Sequence, residues 1–245
     1  MTWVKICGIT NLDDALVAVD AGADAVGFVF YEKSPRFVSV ESAREIIAEL
    51  PESVEKVGIF VGNAGVEFGT EFANVGLTAM QSYLLAGEPP KQDSLTAKAV
   101  GWDLFPALKK AFVALPAAYL SEENAKKLVA DFKHLRSSGD GQPKIRGGLF
   151  DTFLLDSGAL REPGGTGETF DWEKAKPVVS IFQQGGLRVI AAGGLNPANV
   201  SEAIETMKPW GVDVASGVEA RPGKKDPEKV RAFVRAVREY DAKVS

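Results

Sequence analysis

The sequence predicts an α/β protein of the (β/α)8 barrel class, a TIM barrel, built as one domain over residues 1–245. Strand-like apolar segments alternate with amphipathic, helix-like segments about eight times, which implies right-handed parallel crossovers. The chain length agrees with the usual size of such a barrel. The first strand lacks the Gly-x-Gly-x-x-Gly turn of a dinucleotide-binding sheet, so a closed barrel is favoured over an open doubly wound sheet.

The predicted strands are almost continuous apolar runs, which is typical of parallel strands that are buried on both faces. Six of these runs are clear, and the fourth and fifth are weaker. In chain order, we expect strands at residues 4–7, 25–30, 57–61, 77–81, 111–115, 149–156, 188–192 and 212–215.

Helices are predicted where a capping residue precedes an amphipathic stretch. At Asn196-Pro197, proline suits the first helical position, and that helix is expected to run to about Met207. The expected helices start at Asn11, Ser39 or Val40, Ser121, Asp171, Asn196 and Asp226. Two segments, 82–107 and 137–148, fit neither pattern and are predicted to be long surface excursions.

The composition narrows the classes of function. The net charge of −5 argues against a nucleic-acid partner, which usually needs a basic face. Cys7 is the single cysteine, which indicates a reducing, cytoplasmic location. The first residues show no charged leader followed by an apolar stretch, and no apolar run is long enough to span a bilayer, so we expect no signal peptide and no membrane partner. With His134 as the single histidine, the sequence carries no metal-ligand cluster and no Ser-His-Asp triad.

Glycines follow the last two predicted strands, where barrels of this class commonly bind phosphate. Gly193-Gly194 follows the seventh strand and Ser216-Gly217 follows the eighth. Glycine allows backbone N–H groups to approach a phosphate closely, and the helix expected at Asn196 would add its N-terminal dipole. Tight turns are the alternative, but two pairs at the expected positions favour a phosphate site. The loop containing Gly165 could close over a ligand or be a plain linker.

Cys7 and Asp156 end the first and sixth predicted strands, so they would face each other across the mouth of the barrel. Taken alone, Cys7 is more often a small buried hydrophobe than a catalytic thiolate. A carboxylate such as Asp156 can act as an acid if burial raises its pKa, or it can simply be solvated. One base and one acid so placed would suit proton transfer at a sugar carbon.

Three charged residues could support such a site. Lys5 shares a strand face with Cys7 and needs an acidic partner if it is buried. Asp213 on the eighth strand is the candidate partner, although direct contact of Asp213 with substrate is equally compatible with the sequence. Arg36 follows the second strand and could grip a carboxylate or phosphate. In isolation, however, an exposed and solvated Arg36 is the favoured interpretation.

The blocks that carry these residues together resemble the phosphoribosylanthranilate isomerase family of tryptophan biosynthesis. The matching blocks include Val-Lys-Ile-Cys-Gly-Ile-Thr at 4–10, Ser-Pro-Arg at 34–36, Leu-Leu-Asp-Ser at 154–157, Gly-Gly-Thr-Gly at 164–167, Ala-Gly-Gly-Leu-Asn-Pro at 192–197 and Asp-Val-Ala-Ser-Gly-Val-Glu at 213–219. The resemblance covers most of the chain. It departs after the fourth strand, where Gln81-Ser82-Tyr83 replaces the family's Gln-Leu-His-Gly.

The resemblance implies an Amadori rearrangement of N-(5-phosphoribosyl)anthranilate without a cofactor or a metal. Cys7 would be the general base that takes the C2 proton, which makes a thiolate the favoured interpretation of this cysteine. Asp156 would be the general acid that protonates the ring oxygen. The expected ligand contacts are Arg36 to the anthranilate carboxylate, Gly165 and Asp213 to the substrate, and Gly193, Gly194, Ser216 and Gly217 to the phosphate.

Two other functions compete with this one. Another phosphosugar isomerase of the same fold would normally carry an aspartate where Cys7 stands. A barrel that binds a phosphorylated ligand or a protein partner without turnover is suggested only by the altered region after the fourth strand. Cys7 and Asp156 together speak against that second alternative. The expected partner is a small phosphoribosyl substrate, and the protein is expected to be a monomer or a homodimer.

Overall fold

The computed structural model describes residues 1–61, 72, 74–83, 109–117, 120–137, 151–157 and 169–244. Its main strands are β1 (Trp3–Cys7), β2 (Ala25–Val29), β3 (Glu55–Val61), β4 (Ala79–Tyr83), β5 (Lys110–Pro116), β6 (Thr152–Asp156), β7 (Arg188–Ala191) and β8 (Gly211–Val214). All eight run parallel and close into a barrel, since β1 pairs with β2 on one side and with β8 on the other. The predicted (β/α)8 class is confirmed.

Helices cover the outside of the barrel. Those within the described residues are α1 (Leu12–Asp20), α2 (Val40–Ala48), α3 (Glu122–Ser137), α4 (Trp172–Gln184), α5 (Val200–Met207) and α6 (Pro227–Val244). The expected caps accept first-turn N–H groups, namely Asn11 from Asp14, Ser39 from Ser42, Ser121 from Asn124 and Asp171 from Lys174. None of these helices is both long enough and apolar enough to cross a membrane.

One helix begins later than predicted. Residues 197–199 form a turn, and α5 starts at Val200 rather than at Pro197. The turn is closed by the Asn199 side chain, whose Oδ1 accepts from the backbone N of Asn196 at 2.8 Å. Asparagine side chains favour such local turns over helix. The N-terminus of α5 therefore lies one turn farther along the chain from the glycines at 193 and 194 than expected.

The strand residues alternate between two cores. Val4 and Ile6 of β1 belong to the larger core beneath the helices, whereas Trp3 and Cys7 belong to the smaller core inside the barrel. Lys5 shares the parity of Trp3 and Cys7, and it is fully buried. Charged and reactive side chains of β1 therefore point inward.

Aromatic residues fill the amino end of the barrel. The Trp3 ring stacks on Trp210 at 5.2 Å and meets the edge of Phe112 at 5.6 Å. The Arg188 guanidinium lies 4.8 Å from the Trp210 ring centroid. This end is packed, so the space for a ligand is at the opposite, carboxyl end of the strands.

A short 3-10 helix, Ser216–Val218, follows β8 and leads into a hairpin of β9 (Glu219–Arg221) and β10 (Lys224–Lys225). The hairpin is fixed to the first strand's loop, because Thr10 Oγ1 donates to the Gly223 carbonyl oxygen at 2.6 Å. The predicted excursions at 82–107 and 137–148 lie, apart from their first residues in β4 and α3, outside the described residues.

Candidate active site

A cavity opens at the carboxyl ends of the strands, as the position of active sites in this fold requires. Seven of the predicted site residues line it: Cys7, Arg36, Asp156, Gly193, Gly194, Asp213 and Ser216. Gly217 lies beside this cavity rather than in its lining. Gly165 falls outside the described residues, so its predicted role stays a prediction. The strands thus bring together residues that are more than 200 positions apart in the chain.

Lys5 lies beneath the cavity and is paired with Asp213. These residues face each other in the register of β1 and β8, and Lys5 Nζ lies 3.4 Å from Asp213 Oδ1. Lys5 also donates a hydrogen bond to the side-chain oxygen of Gln81 on β4. The ion pair compensates the burial of the ammonium, which would otherwise be strongly unfavourable. Of the two interpretations of Asp213, the structure confirms the pairing with Lys5.

Asp213 also lines the cavity, so it faces both Lys5 and the ligand space. Burial raises the pKa of the Asp213 carboxyl, the positive charge of Lys5 opposes that rise, and the nearby charge of Asp156 adds to it. A carboxyl group whose pKa is raised by burial inside a cavity is a common feature of sites that transfer protons.

Cys7 is 7% exposed and ends β1 at the floor of the cavity. Burial raises the pKa of the Cys7 thiol to about 11, although the positive charges of Lys5, Lys225 and Arg36 act in the opposite direction. At pH 7, roughly one molecule in ten thousand would then carry the thiolate. With this pKa, the thiol is the main form of Cys7 at neutral pH, and the thiolate expected from the family resemblance is the minor form.

The ionisation of Cys7 can be tested by alkylation, because this chain has no other cysteine. Only the thiolate reacts with iodoacetamide. With a pKa of about 11, the alkylation rate is expected to rise about tenfold per pH unit from pH 7 to about pH 10. Free cysteine, the control, levels off above about pH 9. If the rate for Cys7 levelled off together with the control, the raised pKa would be wrong.

The two glycines after β7 adopt a backbone conformation that other residues rarely reach. Gly193 and Gly194 have φ angles of +80° and +64°, a region that glycine adopts without strain. A Cβ on Gly193 would overlap Ser157. The carbonyl oxygen of Gly194 accepts from Asn199 Nδ2 at 3.0 Å, which fixes the loop.

The loop after β8 packs tightly against the loop after β7. A Cβ on Gly217 would overlap the carbonyl oxygen of Leu195. Gly217 therefore brings the two loops together, whereas Ser216 faces the cavity. Adjacent loops after the seventh and eighth strands are the usual place for phosphate in this fold.

Arg36 is 9% exposed, so its interpretation as a solvated surface arginine was wrong. Its Nε and Nη2 donate to the two carboxylate oxygens of Glu219, at 2.9 and 2.8 Å. Lys225, which is 1% exposed, donates to Glu219 Oε1 at 3.0 Å. Burial raises the pKa of Glu219, but the hydrogen bonds and charges of Arg36 and Lys225 outweigh it and leave the pKa below its usual value.

Three residues that contact the site residues without lining the cavity have no role predicted from the sequence. They are Gln81, Glu219 and Lys225. The Ser-Gly-Val-Glu block did carry a signal for Glu219, because a glutamate directly after a phosphate-type loop lies at the mouth of the barrel. Gln81 ends the fourth predicted strand, which places it in the barrel without giving its side chain a role. Nothing in the local pattern distinguishes Lys225 from a solvated residue.

The fold and the position of this cavity are those of a (β/α)8-barrel enzyme. The model of the N-(5'-phosphoribosyl)anthranilate (PRA) isomerase family matches residues 4–104 and 117–236. The chain belongs to this family.

Individual relatives agree with this assignment. The N-(5'-phosphoribosyl)anthranilate isomerase of Citrifermentans bemidjiense is 43% identical over 235 residues, which is 96% of each chain. A crystal structure of phosphoribosyl anthranilate isomerase from Thermotoga maritima has a TM-score of 0.75 and 36% identity, and the match covers 98% of this chain and 100% of that one. A further isomerase structure, in complex with reduced 1-(o-carboxyphenylamino)-1-deoxyribulose 5-phosphate, has a TM-score of 0.71, 35% identity and the same coverage.

Proposed function

We propose that this protein catalyses the Amadori rearrangement of N-(5'-phosphoribosyl)anthranilate to 1-(2-carboxyphenylamino)-1-deoxyribulose 5-phosphate, as a step of tryptophan biosynthesis. The observation that carries this proposal is one cavity lined by a thiol, two carboxyl groups and the glycine loops after β7 and β8. The full-length relationship to isomerases of this name supports it.

In the proposed reaction, Asp156 first donates a proton to the ring oxygen of the ribose. The bond between that oxygen and C1 breaks, and the lone pair of the anthranilate nitrogen forms a C1=N iminium ion. Cys7 then removes the proton from C2, and the electron pair forms the C1=C2 double bond of an enolamine while the iminium electrons return to nitrogen. Transfer of the enol proton to C1 gives the ketone. Asp156 has then lost a proton and Cys7 has gained one, and proton exchange with solvent restores both groups. The substrate gains one proton at the ring oxygen and loses one at C2, so the reaction is an isomerisation that needs no redox partner.

The raised pKa of Cys7 bears on this mechanism in two ways. Few molecules carry the thiolate at neutral pH, which lowers the reactive fraction. A thiolate whose conjugate acid is weak is also a stronger base, which favours removal of a carbon-bound proton. Lys5 lies on the same strand face and stabilises the thiolate electrostatically, since its positive charge lowers the pKa of Cys7.

The substrate's two anionic ends have separate partners in the proposal. The phosphate would lie against Gly193, Gly194 and Ser216, where the absence of a Cβ on the two glycines lets an anion approach the backbone closely. Gly217 would hold the two loops at the required distance. The anthranilate carboxylate would meet Arg36, which lines the same cavity. Gly165 and Asp213 complete the proposed substrate contacts.

The test is turnover of N-(5'-phosphoribosyl)anthranilate by the purified protein, followed through loss of the anthranilate fluorescence. We expect a first-order loss that requires the protein and no added metal or cofactor. Absence of turnover, combined with tight binding of a phosphorylated ligand, would instead support the non-catalytic barrel. Turnover of a different phosphosugar, but not of this substrate, would support another isomerase of the same fold. A cytoplasmic location and a monomeric or homodimeric state are further parts of the proposal.

A further inference from the structure

Arg36 is held by a buried cluster that lies behind the cavity wall. The cluster consists of Arg36, Glu219 and Lys225, and of these three residues only Arg36 lines the cavity. On the basis of the function proposed above, we propose that Glu219 and Lys225 are positioning residues which make the site select a carboxylate on the aromatic amine. They fix the Arg36 guanidinium in one orientation and leave the cluster with one net positive charge beside the cavity.

The contacts within the cluster fix the guanidinium in a plane. Arg36 binds both carboxylate oxygens of Glu219 through Nε and Nη2, which is the bidentate geometry that defines an orientation. Glu219 is itself fixed, because its Oε1 also accepts from Lys225 Nζ at 3.0 Å and from the backbone N of Gly223 at 3.3 Å. Lys225 Nζ reaches the carbonyl oxygen of Ala215 at 3.2 Å. Glu219 and Lys225 therefore each have more than one partner, and Arg36 makes two hydrogen bonds to the same carboxylate.

The stem of Arg36 is confined as well. A Cβ on Gly8 would fall 2.6 Å from Arg36 Cδ, so the aliphatic stem lies directly on the backbone next to Cys7. A Cβ on Gly223 would fall 2.7 Å from the carbonyl oxygen of Pro35, so the hairpin after β8 presses on the loop that carries Arg36. Confinement at both the stem and the head lowers the conformational entropy that Arg36 loses when a ligand binds.

Charge balance distinguishes this cluster from the neighbouring ion pair. Lys5 and Asp213 cancel each other, whereas two cations share one carboxylate in the cluster of Arg36, Glu219 and Lys225. The nearby Lys224 does not change this count, because it pairs with Asp14 at 2.5 Å. A guanidinium has five N–H donors, and Glu219 uses two of them. The remaining donors and the surplus charge suit one carboxylate in the cavity.

A purely structural role for Glu219 and Lys225 predicts a different result from a role in selectivity. A structural role would weaken every ligand of the cavity alike. A positioning role would weaken only ligands that carry the carboxylate. Binding of two matched analogues therefore separates the two roles, and it does so without requiring turnover.

The experiment measures dissociation constants by calorimetry for two probes. One is reduced 1-(2-carboxyphenylamino)-1-deoxyribulose 5-phosphate, and the other is the same compound with a phenyl group that lacks the carboxylate. Lys225→Met removes the surplus charge at similar volume, and Glu219→Asp keeps every charge but withdraws the carboxylate by one methylene. Lys224→Met is the control, since it removes a positive charge from the same hairpin without touching Glu219.

We expect each of the two test variants to bind the carboxylated probe about tenfold more weakly, the size of one well-oriented charged hydrogen bond. Binding of the probe without a carboxylate should stay within about twofold, and Lys224→Met should leave the ratio of the two constants unchanged. If Lys225→Met and Glu219→Asp left the ratio of the two dissociation constants unchanged, whether by weakening both probes equally or by weakening neither, the inference would be overturned. If Lys225→Met did not fold, as judged by circular dichroism, Glu219→Asp would decide alone. Failure of the unsubstituted protein to bind either probe would instead overturn the proposed function.

Discussion

Replacing Cys7 with alanine is expected to lower kcat/KM for N-(5'-phosphoribosyl)anthranilate by about three orders of magnitude, the range that a positioned general base contributes. Alanine leaves no proton acceptor at the end of β1, so the C2 proton would have to pass to water. The measurement is the steady-state loss of substrate fluorescence at matched protein concentration. Because only the sulfur is removed from a residue that is already buried, the variant should remain folded.

Cys7→Ser is the matched comparison. Serine keeps a side chain of similar size, but its hydroxyl is a far weaker acid than a thiol and does not supply an anionic base near neutral pH. We therefore expect Cys7→Ser to be about as inactive as Cys7→Ala, with a similar thermal unfolding midpoint for both. Near-normal turnover in Cys7→Ala would refute the base assignment, while leaving the family membership intact.

The barrel could be predicted from the sequence because its strands are buried on both faces. Residues 25–29 and 57–61, for example, are strongly apolar runs, and both lie in strands. The sequence also predicts the helix N-cap at Asn11, whose side-chain oxygen accepts a hydrogen bond from the backbone N of Asp14. These features depend on short segments, so the local pattern contains the information that fixes them.

The fourth strand shows where apolar periodicity fails. The apolar run predicts this strand at 77–81, whereas β4 is Ala79–Tyr83. Leu77 is buried although it lies outside the strand. The apolar run therefore begins two residues before β4 does. At the other end, polar Gln81 is fully buried inside the barrel because it accepts a hydrogen bond from Lys5. The local sequence gives no sign of this pairing, because Lys5 lies 76 positions away in the chain.

The sequence does not predict the cluster of Arg36, Glu219 and Lys225, for the same physical reason. Charged side chains are usually solvated, so the neighbouring sequence alone predicts that Lys225 and Arg36 are exposed. Both are buried because they share hydrogen bonds to the carboxylate of Glu219, and Arg36 lies 183 positions from that partner. Only the closure of the barrel, which places the loop after β2 beside the hairpin after β8, brings the three side chains together. Sequence therefore indicates which residues reach the mouth, whereas their mutual pairing follows from the tertiary structure.

Asp156→Asn is expected to lower kcat/KM for the same substrate by two to four orders of magnitude, the usual contribution of a general acid. Asparagine keeps the shape of the side chain at the end of β6, but its amide has no acidic proton to give to the ring oxygen. The furanose would then open without protonation of the leaving oxygen. Fluorescence-monitored turnover measures the loss, and calorimetry with the reduced product analogue should show binding within about tenfold of normal, because the two anionic ends keep their partners.

Asp151→Asn is the control that isolates the position of the carboxyl group. Asp151 directly precedes β6, so it lies at the opposite end of the same strand from Asp156, where it accepts a hydrogen bond from Thr152 Oγ1 at 2.6 Å. Because the chemistry of this fold is confined to the carboxyl ends of the strands, Asp151→Asn should retain most of the turnover. Equal losses in the two variants would indicate that β6 has been disturbed as a whole. Retained turnover in Asp156→Asn would move the role of general acid to another group in the cavity, and Asp213, whose pKa burial raises, would be the next residue to replace.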